Sequence, residues 1–168
     1  GEACHPSLVD RWGGGRHFIN AYGPTEATVE ALFAICRPGQ PVTIGRPIDN
    51  MGACLLDDHL QPVRPGEEGE LCLFGSGLAK GYRHLPGLTA QQFPLVYFQG
   101  EGSVRIYRTG DRAKTGPDGA FIYLGRLYSQ FKFQGYRIEA GEIEAALCSL
   151  PNVMDAVASL STNPPSPD

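Results

Sequence analysis

Short apolar runs alternate with clusters of glycine, proline, asparagine and aspartate over most of the chain after Gly45. Four runs have the length and flanking turn residues typical of β-strands: GACLLDD from residue 52, GELCLFG from residue 69, VRIYRTGD from residue 104 and FIYLGR from residue 121. The dipeptide at Asp118 and Gly119 predicts a hairpin, because aspartate and glycine tolerate the positive φ angles of a two-residue turn. Turns at this frequency predict a compact β-barrel or sandwich.

The segment that follows changes its period from two residues to that of a helix. Residues 130–139, QFKFQGYRIE, alternate aromatic and polar positions on both sides of Gly135, which predicts a β-hairpin. Ile143 and Leu147 then recur at helical spacing, and Pro151 ends the helix. The run NVMDAVASL favours one more strand, and STNPPSPD reads as a tail without core-forming residues.

The first part of the chain has a different pattern. Residues 6–12 predict a short helix, the glycines at 13–15 a break, and residues 17–20 a short strand that leads into a turn. This helix-and-strand unit is typical of the end of a larger sheet. The turn lies in INAYGPTEATVEA, residues 19–31, where glycine and proline fix the backbone before a run that favours a helix.

Composition and charge exclude several classes of protein. The 168 residues are 42% hydrophobic and 19% charged, as in an ordinary globular chain. No apolar run reaches the roughly 20 residues needed to span a bilayer, and the first residues lack a signal pattern, so we expect a cytoplasmic protein without a membrane partner. The net charge of −4 and the scattered basic residues argue against nucleic acid as a partner. Five widely spaced cysteines without a CxxC pair argue against a disulfide framework or a zinc site and predict reduced, mostly buried thiols.

Three further stretches have candidate chemistry, and each is weak when taken alone. GELCLFGSGLAKGY, residues 69–82, is as compatible with a bulged strand as with a phosphate cradle, because no Gly-Lys-Ser/Thr follows. In YRTGD, Asp111 ends a strand in a turn, where it is either a turn former or an acceptor for two hydroxyl groups. In YLGR, Tyr123 and Arg126 are close in sequence, a pattern that more often belongs to a surface salt-bridge residue than to a site.

In this order, however, NAYGPTE, GELCLFGSGLAKGY, YRTGD, YLGR and QFKFQGYRIEAGEIE closely resemble successive core motifs of the adenylation domains of non-ribosomal peptide synthetases, within the superfamily of adenylate-forming enzymes. The resemblance covers residues 1–160 and is highly specific for the superfamily. The forms NAYGPTE and GYRIEAGEIE point to its amino-acid-activating branch, with acyl-CoA ligases as the close alternative.

The resemblance implies an α+β fold of three parts. Residues 1–44 would be the end of the large N-terminal α/β subdomain, and residues 45–124 a distorted antiparallel β-barrel. A hinge at residues 125–128 would lead to a truncated C-terminal subdomain, a β-hairpin plus helix at residues 129–160. Residues 161–168 would form a flexible linker or tail.

The resemblance also implies a function for the AYGPTE turn. It implies that Tyr22 packs against the adenine of ATP, with Gly23 in the same ATP-binding turn. Thr25 would contact the α-phosphate, and Glu26 would hold Mg²⁺. Thr25 and Glu26 are therefore candidate catalytic residues.

The YRTGD and YLGR motifs imply further ATP contacts. Asp111 would bind both ribose hydroxyls, Tyr123 would be a second aromatic near the adenine, and Arg126 would lie near the ribose and phosphates as a third candidate catalytic residue. These roles suit the chemistry of the residues, because a carboxylate accepts hydrogen bonds from a diol and a guanidinium binds phosphate oxygens. Catalysis would consist of positioning and charge neutralisation, while the substrate carboxylate attacks the α-phosphate and pyrophosphate leaves.

The remaining implied site residues concern the substrate and the acceptor. Ala21, Val29 and Glu30 occupy positions of the amino-acid pocket. Glu30 either pairs with a polar or cationic substrate side chain or points into solvent from a helix, since an unpaired buried carboxylate is costly. The acceptor would be the phosphopantetheine thiol of a peptidyl carrier protein, with Gly135 lining the thiol's tunnel.

The chain also departs from the family pattern. Tyr128 replaces the aspartate of the usual hinge, Gln134 replaces an arginine before the hairpin glycine, and Ala140 replaces a common leucine. Neither the upstream Thr/Ser/Gly-rich phosphate loop nor the downstream segment with the catalytic lysine is present. We therefore expect this chain alone to be inactive and to be completed by other segments of a larger synthetase, or to precede a domain inserted after residue 160.

Three hypotheses stay open on the sequence alone. The residues belong to an amino-acid adenylation domain, to an acyl-CoA or aryl-acid ligase of the same superfamily, or to a degenerate docking module without catalysis. Tyr22, Thr25, Glu26, Asp111 and Arg126 favour an enzyme, because a purely structural role does not require these groups. Substitution of the hinge aspartate and the hairpin arginine slightly favours the docking module.

Overall fold

The computed structural model describes residues 3–100, 102–127, 130–133 and 136–158. The chain divides into two compact units, one formed by residues 3–127 and the other mainly by residues from 128 onward. Among the described residues, no helix is long and apolar enough to cross a membrane. The predicted α+β class is confirmed, with antiparallel sheets and few helices.

The first unit begins with a short helix and a three-stranded antiparallel sheet. Its elements are α1 (Pro6–Trp12), β1 (Phe18–Tyr22), a 3₁₀ turn (Thr25–Ala27), β2 (Leu32–Cys36) and β3 (Arg46–Pro47), with the sheet order β1-β2-β3. The short helix, the glycine break and the first strand were all predicted by the sequence pattern. The helix predicted after Glu26 is wrong, because the chain turns back at Thr28 and Val29, both in the left-handed region, to pair β2 with β1.

A larger antiparallel sheet forms the rest of this unit. Its strands are β4 (Met51–Leu56), β5 (Glu68–Gly75), β6 (Leu95–Phe98), β7 (Gly102–Thr115) and β8 (Phe121–Arg126), in the order β4-β5-β7-β6, with β8 also pairing with β7. A short helix, α2 (Pro86–Gln92), precedes β6. The sheet curls into a half-barrel, as the frequent turns predict. Its core includes Leu71 and Leu73 of β5, which are fully buried together with Leu32 of the first sheet.

The predicted hairpin at Asp118 and Gly119 is present, but its turn is longer than two residues. Thr115 pairs with Phe121, so five residues connect the strands. Gly116 N donates to Ala120 O at 2.8 Å, and Gly119 has a φ of 78°. Only one of the two turn positions therefore uses the positive φ that the pattern predicts.

The second unit contains the predicted hairpin and helix. Strands β9 (Gln130–Phe133) and β10 (Tyr136–Glu139) are antiparallel, and helix α3 (Ala140–Cys148) follows. The strand predicted after Pro151 is wrong for residues 153–158, which have no regular structure. Met154 and Val157 are 98% and 84% exposed, so burial of these apolar side chains does not stabilise a strand here.

Candidate functional site

The AYGPTE turn is held in one shape by its own backbone. Pro24 O accepts hydrogen bonds from Ala27 N at 3.0 Å and Val29 N at 3.1 Å, and Ala31 N donates to Tyr22 O at 2.8 Å. A Cβ on Gly23 would lie 2.6 Å from Val29 O, which is too close for any other residue without a backbone shift. The close approach of the two arms of the turn therefore requires glycine at position 23.

Thr25 and Glu26 are presented on the 3₁₀ turn. Thr25 is exposed and Glu26 is half-buried. Glu26 Oε1 accepts a hydrogen bond from the Tyr82 hydroxyl at 2.8 Å, and its backbone oxygen accepts one from Ala79 N at 2.8 Å. Burial and the hydrogen bond to Glu26 raise the pKa of Tyr82, so this hydroxyl remains a neutral donor. The region after β5 thus fixes the orientation of the Glu26 carboxylate.

Four of the predicted site residues meet around one carboxylate, which we call the Asp111 cluster (Tyr22, Asp111, Tyr123 and Arg126). The Tyr22 hydroxyl donates to Asp111 Oδ2, although the two residues are 89 positions apart. Arg126 Nε lies 2.8 Å from Asp111 Oδ1, and the rings of Tyr22 and Tyr123 have centroids 6.4 Å apart. Asp111 is only 6% exposed, so its charge is compensated in a largely buried setting.

The cluster favours neutral tyrosines beside a charged carboxylate. Burial, then the charge of Asp111, raises the pKa of Tyr22 well above its ordinary value. The same two causes raise the pKa of Tyr123. Both rings therefore carry neutral hydroxyl groups at physiological pH, and Arg126 supplies the positive charge of the cluster.

Asp111 is carried on a bulge in β7. Cys72 pairs with Arg108 and Glu70 with Arg112, so a single residue of β5 faces the three residues Thr109–Asp111. The backbone of this bulge is hydrogen-bonded by side chains and by the end of β8. Thr109 O accepts from Arg126 Nη1 at 2.7 Å, Gly110 O accepts from Leu127 N at 2.8 Å, and Asp111 N donates to Thr109 Oγ1 at 3.0 Å.

The residues predicted for the amino-acid pocket lie at exposed positions, and the residue predicted for the tunnel is not among the described residues. Ala21 lies on the exposed face of β1, and Val29 and Glu30 lie on the exposed return of the turn. Glu30 is exposed, as one of the two alternatives predicted, but it is on a loop, so the helix predicted for that alternative is wrong. Gly135, Tyr128 and Gln134 lie outside the described residues.

The chain is similar in sequence to known proteins. The family model described as AMP-binding enzyme matches residues 1–83. Novobiocin biosynthesis protein H of Streptomyces niveus is 48% identical over 165 residues, covering 98% of this chain and 27% of that protein. Chondramide synthase of Chondromyces crocatus is 45% identical over 163 residues, covering 94% of this chain and 4% of that protein.

Solved structures give the same result. The structure of a nonribosomal peptide synthetase protein containing adenylation and PCP domains is 34% identical, with a TM-score of 0.73 over 83% of this chain and 29% of that chain. The chain is part of an adenylation domain of the AMP-binding enzyme family. A four-domain nonribosomal peptide synthetase bound to AMP and glycine is 37% identical, with a TM-score of 0.72 over 98% of this chain and 13% of that chain. This adenylation-domain portion thus spans about a quarter or less of the first two relatives.

Two residues of this adenylation-domain portion were missed by sequence reasoning as site residues. Tyr82, which holds Glu26, was noted only as the last residue of a glycine-rich stretch. Glu70 is 5% exposed within the apolar run ELCLF, and it accepts hydrogen bonds from Arg108 and from Gly110 N. The sequence signal for Glu70 was a carboxylate within an otherwise apolar strand. Glutamate is almost never fully buried without a partner, so this position indicates a paired carboxylate.

Proposed function

We propose that this chain is part of an enzyme that activates an amino acid with ATP, forming an aminoacyl-AMP and releasing pyrophosphate, and then transfers the aminoacyl group to a carrier-protein thiol. The observation that carries the proposal is the hydrogen bond from Tyr22 to Asp111. It joins the AYGPTE turn to the YRTGD bulge and so assembles aromatic, acidic and basic groups in one place. That combination of groups suits the aromatic base, the hydroxyl groups and the phosphates of a nucleotide.

The Asp111 cluster has the donors and acceptors for a nucleoside. The rings of Tyr22 and Tyr123 would contact the adenine, and Asp111 would accept hydrogen bonds from the ribose hydroxyls. A carboxylate is an acceptor-only group, which suits the two hydroxyl groups of a ribose diol. Arg126 is a donor for phosphate oxygens, which it binds in the planar geometry that guanidinium groups favour.

Glu26 and Thr25 would act on the phosphates. Within the described residues no group of three His, Cys, Asp or Glu side chains is placed to hold a metal, so a metal here would depend on other ligands. That fits Mg²⁺, which is commonly held by one or two carboxylates together with substrate phosphates and water. Glu26, oriented by Tyr82, would be that carboxylate, and bound Mg²⁺ would neutralise phosphate charge. Thr25, exposed beside it, would donate to the α-phosphate while the substrate carboxylate attacks.

The substrate and the partners follow from the same proposal. Ala21, Val29 and Glu30 would line the amino-acid pocket, where the exposed Glu30 carboxylate is available to a polar or cationic side chain. Gly135 would line the tunnel for phosphopantetheine, and the partners would be a peptidyl carrier protein and other segments of a larger synthetase. A domain inserted after residue 160 and a cytoplasmic location stay predictions. The PCP domain beside the adenylation domain in a solved relative supports the carrier-protein partner.

The test is amino-acid-dependent exchange of labelled pyrophosphate into ATP, measured on this chain and on the longer natural protein that contains it. The expected result is exchange by the longer protein with one amino acid out of a panel that includes simple carboxylic acids. Asp111→Ala should raise the KM for ATP, and Glu26→Gln should mainly lower the rate. Asp58→Ala, at an exposed turn outside the site, is the matched control.

Two results would overturn the proposal. Exchange only with carboxylic acids that lack an α-amino group would assign an acyl or aryl-acid ligase instead. No exchange by the longer protein with any acid would assign a module without catalysis.

A further inference from the structure

Glu70 is a buried carboxylate that the proposed reaction does not use directly. It lies on β5, two residues after Glu68, and its side chain is 5% exposed. Burying a carboxylate is costly unless it is paired and hydrogen-bonded, so a position of this kind needs a compensating partner set.

That partner set lies on the bulge that carries Asp111. Glu70 Oε2 accepts hydrogen bonds from Arg108 Nε at 2.8 Å and Nη2 at 2.6 Å, and Oε1 accepts one from Gly110 N at 3.0 Å. The two oxygens therefore hold the residues on both sides of Thr109. Thr109 itself donates from Oγ1 to Leu71 O at 2.6 Å.

The bulge needs side-chain hydrogen bonds because its residues lie outside the regular backbone hydrogen-bond ladder of the sheet. Gly110 has a φ of 69°, and its N–H donates to the Glu70 side chain instead of a backbone carbonyl of β5. An amide left without an acceptor in this part of the sheet would cost free energy and would favour other bulge conformations. Glu70 supplies this acceptor to the bulge that presents Asp111 to Tyr22 and Arg126.

We propose that Glu70 is a positioning residue for ribose recognition, which fixes the Thr109–Asp111 bulge through Gly110 and Arg108 and so sets the place of the Asp111 carboxylate. The inference rests on the proposed function, because it requires that Asp111 bind the ribose hydroxyls. Stability alone gives little reason for the residue, since a buried ion pair can often be replaced by apolar residues at no cost.

The experiment compares kcat/KM for ATP with kcat/KM for 2′,3′-dideoxy-ATP, which lacks both hydroxyls, using pyrophosphate exchange by the longer natural protein. The ratio of the two constants is taken on one enzyme preparation, so a lower folded fraction cancels. Glu70→Gln keeps an acceptor for Gly110 N but places an amide against the donors of Arg108. We expect the ratio to fall about tenfold or more, since small misplacements of a binding group have effects of up to roughly 10²-fold.

A second variant and a matched control separate positioning from folding. The double substitution of Glu70→Leu with Arg108→Leu removes the ion pair and also the acceptor of Gly110 N, so the melting temperature should fall. The ratio does not depend on the folded fraction, and it should show a loss of the preference for ATP. Glu68→Gln affects the Arg112 pair on the same two strands, whose atoms are 3.6 Å apart and about half exposed, and it should leave the ratio unchanged. Asp111→Asn should lower the ratio, and adding Glu70→Gln to it should lower the ratio no further.

The outcomes distinguish the two proposals. A wild-type ratio in Glu70→Gln, together with a lowered ratio in Asp111→Asn, would overturn the role of Glu70 and leave the proposed function standing. An unchanged ratio in Asp111→Asn would overturn the ribose assignment and the role of Glu70 together. The same holds if the wild-type protein catalyses no exchange.

Discussion

Asp111→Ala should destabilise the first unit of the isolated chain, independently of any activity. The substitution removes an ion pair of 2.8 Å to Arg126, whose side chain is 21% exposed, and the hydrogen bond donated by Tyr22. Removing one partner of a buried pair costs roughly 3–5 kcal/mol. Arg126 keeps its hydrogen bond to Thr109 O and some solvent contact, so the lower part of this range applies. We expect a loss of about 3 kcal/mol in the free energy of unfolding.

The assay is urea unfolding followed by tryptophan fluorescence. Trp12 is the only tryptophan of the chain and lies in the same unit as Asp111, so the signal reports on this unit. With a urea dependence of about 1.5 kcal/mol per molar, the midpoint should fall by roughly 2 M. Glu68→Ala is the control, because the exposed pair of Glu68 with Arg112 should contribute at most about 0.5 kcal/mol.

A double-mutant cycle completes this test. Arg126→Ala alone should also destabilise the unit, and the coupling energy with Asp111→Ala should be about 1–3 kcal/mol. A loss below about 1 kcal/mol for Asp111→Ala, or no coupling, would refute the view that this pair is a buried, mutually compensating one.

Three further predictions concern the tyrosines, the thiols and the hinge. The pKa of Tyr22 is raised in the folded state, so its contribution to stability is complete below about pH 10 and declines as the pH rises toward the folded pKa. Tyr22→Phe should therefore reduce the loss of stability at alkaline pH by about 1.4 kcal/mol per pH unit. Urea unfolding measured between about pH 10 and 11 tests this prediction. Cys72 is fully buried and burial raises its pKa, whereas Cys148 is exposed. Iodoacetamide followed by peptide mass spectrometry should modify Cys148 first, and equal rates would contradict the packing of β5. Tyr128→Asp in the longer protein should change thioester formation more than adenylation, and an unchanged ratio of the two half-rates would count against the hinge assignment.

The sequence predicted local elements well because their signals are local. The helix at Pro6–Trp12, four of the strands of the half-barrel and the hairpin around residues 130–139 each depend on periodicity and turn residues within a short window. Strand β2 was missed because ATVEALFA has helix-forming residues, and its pattern gives no local signal for the left-handed backbone at Thr28 and Val29 that allows β2 to pair with β1.

The sequence predicted the residues of the site, but it did not predict the residues that hold them in position. The motif resemblance gave the candidates Tyr22, Asp111 and Arg126, and the structure brings them together across 89 positions of sequence. The contacts of Tyr82 with Glu26 and of Glu70 with Gly110 span 56 and 40 positions. Such pairs depend on strand register and on a bulge, neither of which hydrophobic periodicity reveals.

The count of residues in the bulge also limits how this part of the chain can change in length. One residue of β5 faces three residues of β7, so the bulge adds an even number of residues and keeps the side-chain alternation of β7 in step on both sides. A deletion or insertion of a single residue between Arg108 and Arg112 would send one arm of the strand to the opposite face. Related chains should therefore vary in length at the five-residue turn before Phe121 and keep a constant length between these two arginines.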